Sequence, residues 1–420
     1  MPEVLNDYAN TLRTAEEQKP QAETFVADGI YSDAEVALDQ EILDIVENHP
    51  AYSPDHDPNT PSARLENILA VTVARDDWLR DGDRFADDPS ARSFGTVSTS
   101  EIDDHFNHID TIAVIANRFT GGAPVPIGID LTTQKNPRKL AQKFGHRHTW
   151  GLKPSVEEKI SEFGVPSSEF WDGEQITSTM DVSPRDKNGL GIPGFASAKY
   201  FEDINAPSAE TALPKGRIPV MPRLIVGFDG PLTKALAGGA PNKADWVINK
   251  GRKAYENRLR EYESAELQAR YIMLSELTSQ SAQIGAYLDA LPPSKKRFMD
   301  PAELKAARLQ ISAVHDYFAD ALSRYELEAN GDPEQGLPAN PKMQTAMERA
   351  KADPVYEALT SAAEDTYVRP LEKFQQESRQ NGSRNGNYSR GGNYSRGYDN
   401  RRDQQRRFGS AAYDAARRSA

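Results

Sequence analysis

The sequence predicts a mixed α/β protein with a helical C-terminal region and a disordered tail. Three observations predict it. Short runs rich in Ile and Val, such as Thr111-Ile-Ala-Val-Ile-Ala116, have strand length. Apolar residues recur at three- and four-residue spacing from 244 to 290. From residue 379 the chain turns to Arg, Gly, Asn, Ser and Tyr with almost no aliphatic side chains, and such a segment cannot bury a core. The 420 residues suffice for two or three units at roughly 100–200 residues each.

Residues 1–61 read as a helical leader and a linker. Ser32 is an N-cap candidate, and Val36, Leu38, Ile42, Leu43 and Val46 fall roughly on one helical face after it. Pro50, Pro54, Pro58 and Pro61 then make an extended linker. Residues 62–243 form the α/β unit. A helix opens at Ser62 with an apolar stripe of Leu65, Ile68, Leu69, Val71 and Trp78. Three strands follow: a weak one over 93–98, and stronger ones over 110–116 and 125–132, with a Gly121-Gly122 turn between the last two. Asn136 and Pro137 signal the start of a helix ending at Phe144. Residues 145–217, rich in Pro, Gly, Ser and Asp, read as an irregular insertion with little regular structure. Residues 220–229 return to a buried strand, and a short helix begins after Asp229-Gly-Pro. Alternation places Ile112, Val114, Ile127, Ile129, Leu224 and Val226 in the core of one sheet. Residues 244–378 are helical: one long helix from 244 to 290 ended by Pro292-Pro293, another over 301–328, and two shorter ones over 342–351 and 354–376. Their short connections predict an antiparallel hairpin or bundle packed on the α/β core, or a homodimer seam.

Composition narrows the function classes. There are no cysteines, which excludes a disulfide scaffold, a Cys-ligated zinc site, an iron–sulfur cluster and thiol catalysis. No run approaches the roughly 20 apolar residues that span a bilayer, so no membrane partner is expected. The first residues lack a basic and an apolar region of a secretory signal, so a cytoplasmic location is expected. Neither a phosphate-binding glycine loop nor a Gly-x-Ser-x-Gly elbow is present. His105, His108, His146 and His148 lie in pairs, but amid Lys143 and Arg147 they read as solvated or phosphate-contacting rather than zinc-binding.

Charge is unevenly distributed. The whole chain is −13, yet residues 379–420 carry ten Arg, no Lys and three Asp, a net of +7 on a body of −20. Gly386-Asn-Tyr-Ser-Arg390 recurs as Gly392-Asn-Tyr-Ser-Arg396. Tyr388, Tyr394 and Tyr398 alternate with Arg384, Arg390, Arg396, Arg401 and Arg402. Aromatic faces stack on unpaired bases, and Arg grips phosphate and also stacks. The tail resembles the Gly-Arg-rich tails of RNA-binding proteins, which implies RNA or single-stranded DNA as its partner; a solubilising tail, or one docked on the acidic body, is the alternative.

Asp110 begins the second strand and Asp130 lies near the end of the third, so a hairpin can bring the two together. Converging carboxylates suit a hard cation such as Mg²⁺. The order helix, strand, strand, strand, helix, strand, with Asp103-Asp-x-Phe-x-x-Ile-Asp-Thr-Ile-Ala-Val and Ile127-Gly-Ile-Asp-Leu-Thr132, resembles the PD-(D/E)XK nuclease-like superfamily. The resemblance covers 62–144, and reaches 229 if the strand at 224–229 closes the core. It implies a nuclease-like α-β-β-β-α-β core, Asp110 and Asp130 as metal ligands, Glu66 as the helix carboxylate, and Mg²⁺-dependent phosphodiester cleavage. Asp104 is a further candidate. The sequence departs from the motif at Thr132, where the superfamily has Lys. Lys135 or Lys139 could supply the missing charge. Such migration is known in the superfamily, and loss of the lysine marks its inactive members. A nucleic-acid-processing enzyme and a non-enzymatic scaffold on a decayed nuclease fold are therefore the two readings. Without the resemblance, Asp110 and Asp130 read as strand-end caps and turn formers.

Overall fold

The computed structural model describes residues 20–47, 94–100, 103, 109–115, 119–120, 123–144, 194–203, 212–237, 243–291, 301–334 and 336–372. Glu66, Asp104, the paired histidines and the whole tail lie outside the described residues. Two N-terminal helices, α1 (Ala22–Ala27) and α2 (Asp33–Glu47), precede a five-stranded mixed sheet. Its strands are β1 (Phe94–Ser98), β2 (Thr111–Ile115), β3 (Val125–Thr132), β4 (Phe195–Phe201) and β5 (Gly216–Gly227). They lie in the order β1-β2-β3-β5-β4. β1, β2 and β3 form an antiparallel meander, β5 runs parallel to β3, and β4 is antiparallel to β5 at the edge. α3 (Pro137–Phe144) follows β3, and α4 (Gly230–Ala237) follows β5.

The alternation of the strands decides which side chain meets which layer. Ala113 pairs with Ile127 and Thr111 with Ile129 across β2–β3. Ile127 and Ile129 join Ala113, Ile115, Leu131, Leu224 and Val226 in the cluster shared with the C-terminal helices. Ile112 and Val114 point the other way, to a second cluster with Val97, Ile109, Ala198, Phe201, Ile218 and Met221. All six predicted core residues are buried in adjacent strands, but the two from β2 line the opposite face from the two of β3. The period of two explains this: Ile112 sits opposite Gly128, whose missing side chain leaves room for Ile109.

The stretch 145–217, expected to be irregular, supplies β4 and the first residues of β5. β4 reads Phe-Ala-Ser-Ala-Lys-Tyr-Phe, with small residues and a lysine where β-branched residues usually signal a strand. Its pairing with β5 is irregular around Lys199 and Tyr200. The backbone groups set loose there are taken by side chains. The buried Asp103 carboxylate accepts from the N–H groups of Lys199 and Tyr200, and the Tyr31 hydroxyl donates to the Lys199 carbonyl. α1 and α2 dock on this strand. Lys199 Nζ, itself buried, lies 2.5 Å from Asp39 of α2, and the Tyr200 hydroxyl donates to the same carboxylate. Phe25, Tyr31 and Tyr200 stack edge to face or tilted around it.

The helix expected over 244–290 is broken. Gly251, at φ +84°, separates α5 (Lys243–Lys250) from α6 (Arg252–Ala290). α6 and α7 (Pro301–Asn330) form an antiparallel hairpin, tied by the Tyr325 hydroxyl to the Leu267 carbonyl at 2.9 Å. α8 (Pro341–Lys351) and α9 (Pro354–Ala363) start at Asn340 and Asp353, each an N-cap accepting two backbone N–H groups before a proline at the first helical position. A π-turn (Glu364–Val368) then carries Tyr367 into the core against Phe144. The sequence pattern divides at 243/244, but β3, β5 and α6 to α9 share one apolar cluster.

α6 also completes the sheet. β4 pairs with β5 only as far as Pro222, so the β5 edge beyond it needs partners. Gln280 receives the Ile225 N–H and donates to the Ile225 carbonyl, and Glu276 receives the Gly227 N–H. Four residues of helix rise about 6 Å and two residues of strand about 6.6 Å, so an i, i+4 pair matches alternate strand residues.

Candidate functional site

The site grows from the end of β3. Asp130 projects from β3 and is buried, with both oxygens engaged. Oδ1 accepts from Lys143 Nζ of α3 at 2.8 Å. Oδ2 accepts from the guanidinium of Arg223 on β5. Arg223 is 1% exposed at its side chain and also donates to the Lys143 carbonyl at 2.9 Å. The same arginine therefore closes the carboxylate and fixes the C-terminal end of α3. Asp110 reaches the same place from the β2 side. Its backbone N–H donates to the Ile129 carbonyl at 3.0 Å, and its carboxylate accepts from the Leu131 N–H.

The electrostatics are those of a compensated cluster. Burial works against the charge of Lys143, but Asp130 and then Asp110 more than offset it, so its ammonium is held above the ordinary lysine value. Lys143 keeps its proton at neutral pH. Tyr367, buried 5.8 Å from the Phe144 ring, lies close enough to feel the charge of Arg223.

The hairpin thus brings the Asp110 carboxylate to the Leu131 N–H, one residue beyond Asp130. The lysine that reaches Asp130 is Lys143, whereas Lys135, before α3, and Lys139, on it, are exposed. Thr132 is buried and uses its hydroxyl to accept the Gln134 N–H at 3.1 Å, closing the turn into α3. Arg223 was missed because it sits 93 residues from Asp130 in an otherwise apolar strand. Its signal was there to read: an arginine inside a strand buried on both faces demands a buried anion. Asp103, of the Asp103-Asp pair, is a structural acceptor for β4, as described above.

Mg²⁺ asks for several free oxygen ligands. The donor set fits it poorly, because both oxygens of Asp130 are bound by protein cations and one oxygen of Asp110 is bound by a backbone amide. Among the described residues no group of three or more His, Asp or Glu side chains could hold a metal ion.

No family model, curated protein or solved structure matches this chain.

Among the described residues no helix is long and apolar enough to cross a membrane. A cavity of about 520 Å³ lies elsewhere, between α6 and α7, lined among others by Ser279, Gly285, Ser312 and His315. His315 Nδ1 is 3.3 Å from the Thr278 carbonyl and 3.5 Å from the Ser281 hydroxyl, which accounts for it as a packed, hydrogen-bonded side chain.

Proposed function

We propose that the protein is a nucleic-acid-associated scaffold built on a nuclease-like α-β-β-β-α-β core, with its Arg- and Tyr-rich tail as the single-strand-binding element. The observation that carries this reading is the closure of Asp130 by Lys143 and Arg223. Two protein cations stand where a nuclease would direct its carboxylate at a metal. The antiparallel meander followed by a helix and a parallel strand supports the nuclease-like ancestry. The tail, at +7, supports the polyanion partner, and its interleaved tyrosines favour unpaired bases.

A second reading rests on Lys143. It lies 2.8 Å from Asp130 and feels Asp110, so a helix-borne lysine occupies the role that Thr132 vacates, as in a working Mg²⁺-dependent phosphodiesterase. Incubation with labelled single- and double-stranded DNA and RNA, with and without Mg²⁺, separates the two. The scaffold reading expects binding without cleavage. Mg²⁺-dependent cleavage that Asp130→Asn abolishes in a folded protein would install the second reading instead.

A further inference from the structure

We infer that α3 is a second nucleic-acid contact of this protein, a rigid basic surface that the Asp130 cluster holds in place on the acidic body. The inference rests on the nucleic-acid reading above and assigns the phosphate-binding surface of the body. Between Thr133 and Phe144 the sequence has four cations, Lys135, Arg138, Lys139 and Lys143, and no acid. The first 378 residues carry a net −20, so this segment is an island of opposite sign. Lys143 is spent on Asp130. Lys135, Arg138 and Lys139 are exposed and form no ion pair among the described residues.

The backbone that carries the three cations is held in place. Leu140 and Phe144 bury the inner face of α3, Lys143 pins its last turn to Asp130, and Arg223 grips the Lys143 carbonyl. At the other end the Asn136 side chain accepts the Arg138 N–H at 3.0 Å, which caps the helix. A charge cluster with no free carboxylate for chemistry thus serves as an anchor. Its consequence is a short helix, with the turn before it, whose backbone needs no reordering to present its cations to phosphates, which lowers the cost of ordering on binding. A phosphate backbone is the fitting occupant because it is a continuous anion that three unpaired cations can follow. The tail of the same chain adds base-stacking aromatics that an acidic peptide would not need.

The test uses full-length protein carrying K135E, R138E and K139E together, with a control that reverses Lys234, Lys305 and Lys351, also exposed and without an ion pair among the described residues. Both variants change net charge equally, so a long-range field effect moves both. Affinity for a labelled single strand is measured at several salt concentrations, with thermal midpoint and oligomeric state recorded. The α3 variant should keep the wild-type midpoint, lose about tenfold or more in affinity near 0.1 M salt, and show a log–log salt slope shallower by about 2, at roughly 0.7 per lost contact. The control should do neither. An unchanged affinity and slope in the α3 variant, with wild type binding, would overturn the inference while leaving the tail reading intact. So would a changed oligomeric state with unchanged affinity, which would make the surface a self-association site. Absence of binding by wild type would instead remove the nucleic-acid reading, and this inference with it.

Discussion

Replacing Asp130 with asparagine removes one charge at nearly constant volume and leaves two cations facing a neutral carboxamide. Arg223 is 1% exposed at its side chain and cannot reach water, whereas the Lys143 side chain is 36% exposed and can turn outward. The loss therefore falls mainly on Arg223. Removing one partner of a buried ion pair costs about 3–5 kcal/mol. The carboxamide keeps one acceptor for the guanidinium, which places Asp130→Asn near the lower end, at about 3 kcal/mol. That is a large share of the roughly 5–15 kcal/mol that stabilises a typical protein. Urea unfolding followed by tryptophan fluorescence and circular dichroism reads the shift in midpoint. Combined with Arg223→Met, the double variant should recover a substantial part of the loss, because no buried cation remains uncompensated. A single variant within about 0.5 kcal/mol of wild type would mean that Asp130 carries no structural charge pairing.

Three further outcomes are expected. Burial pushes the Glu276 carboxyl well above its ordinary value, with Asp353 adding to the effect, so folding favours the protonated form. Stability then falls as pH rises from about 4.5 towards the folded value, and Glu276→Gln should raise the neutral-pH melting temperature and flatten that pH dependence; a melting temperature lowered by the amide at pH 7 would count against it. Gly227→Ala would place a Cβ 2.4 Å from Val355 Cγ1 and 2.5 Å from Leu359 Cδ1, so a loss of about 1–3 kcal/mol is expected in urea titrations, and a neutral result would mean α9 does not pack there. Lys199→Met should cost about 3–5 kcal/mol by leaving Asp39 buried without its cation, and should expose the 20–47 segment to limited proteolysis; resistance equal to wild type would show that the pair does not hold α1 and α2.

Much of the sheet was legible because Ile112-Ala-Val-Ile115 and Ile127-Gly-Ile129 combine β-branched residues with strand length. β4 was not, since Ala196, Ala198 and Lys199 carry no strand propensity and the strand is stabilised by Asp103, Tyr31 and Asp39 from far along the chain. The break at Gly251 was hidden in an otherwise continuous helical period. Within the site, the β2–β3 hairpin that carries Asp110 and Asp130 could be read from strand order alone. Their cations could not, because Lys143 depends on the angle at which α3 crosses the sheet and Arg223 on the β3–β5 register. Periodicity names the face a residue is on; it does not name the long-range partner it finds there.

Metal binding by the carboxylate pair separates a closed ion-pair cluster from a metal centre. Calorimetric titration of Mg²⁺ and of Mn²⁺ into wild type and Asp130→Asn, at a pH where both are folded, should give the same heats for the two proteins, because Lys143 and Arg223 already satisfy Asp130. A saturable site in wild type that disappears with Asp130→Asn would make the cluster a metal centre instead.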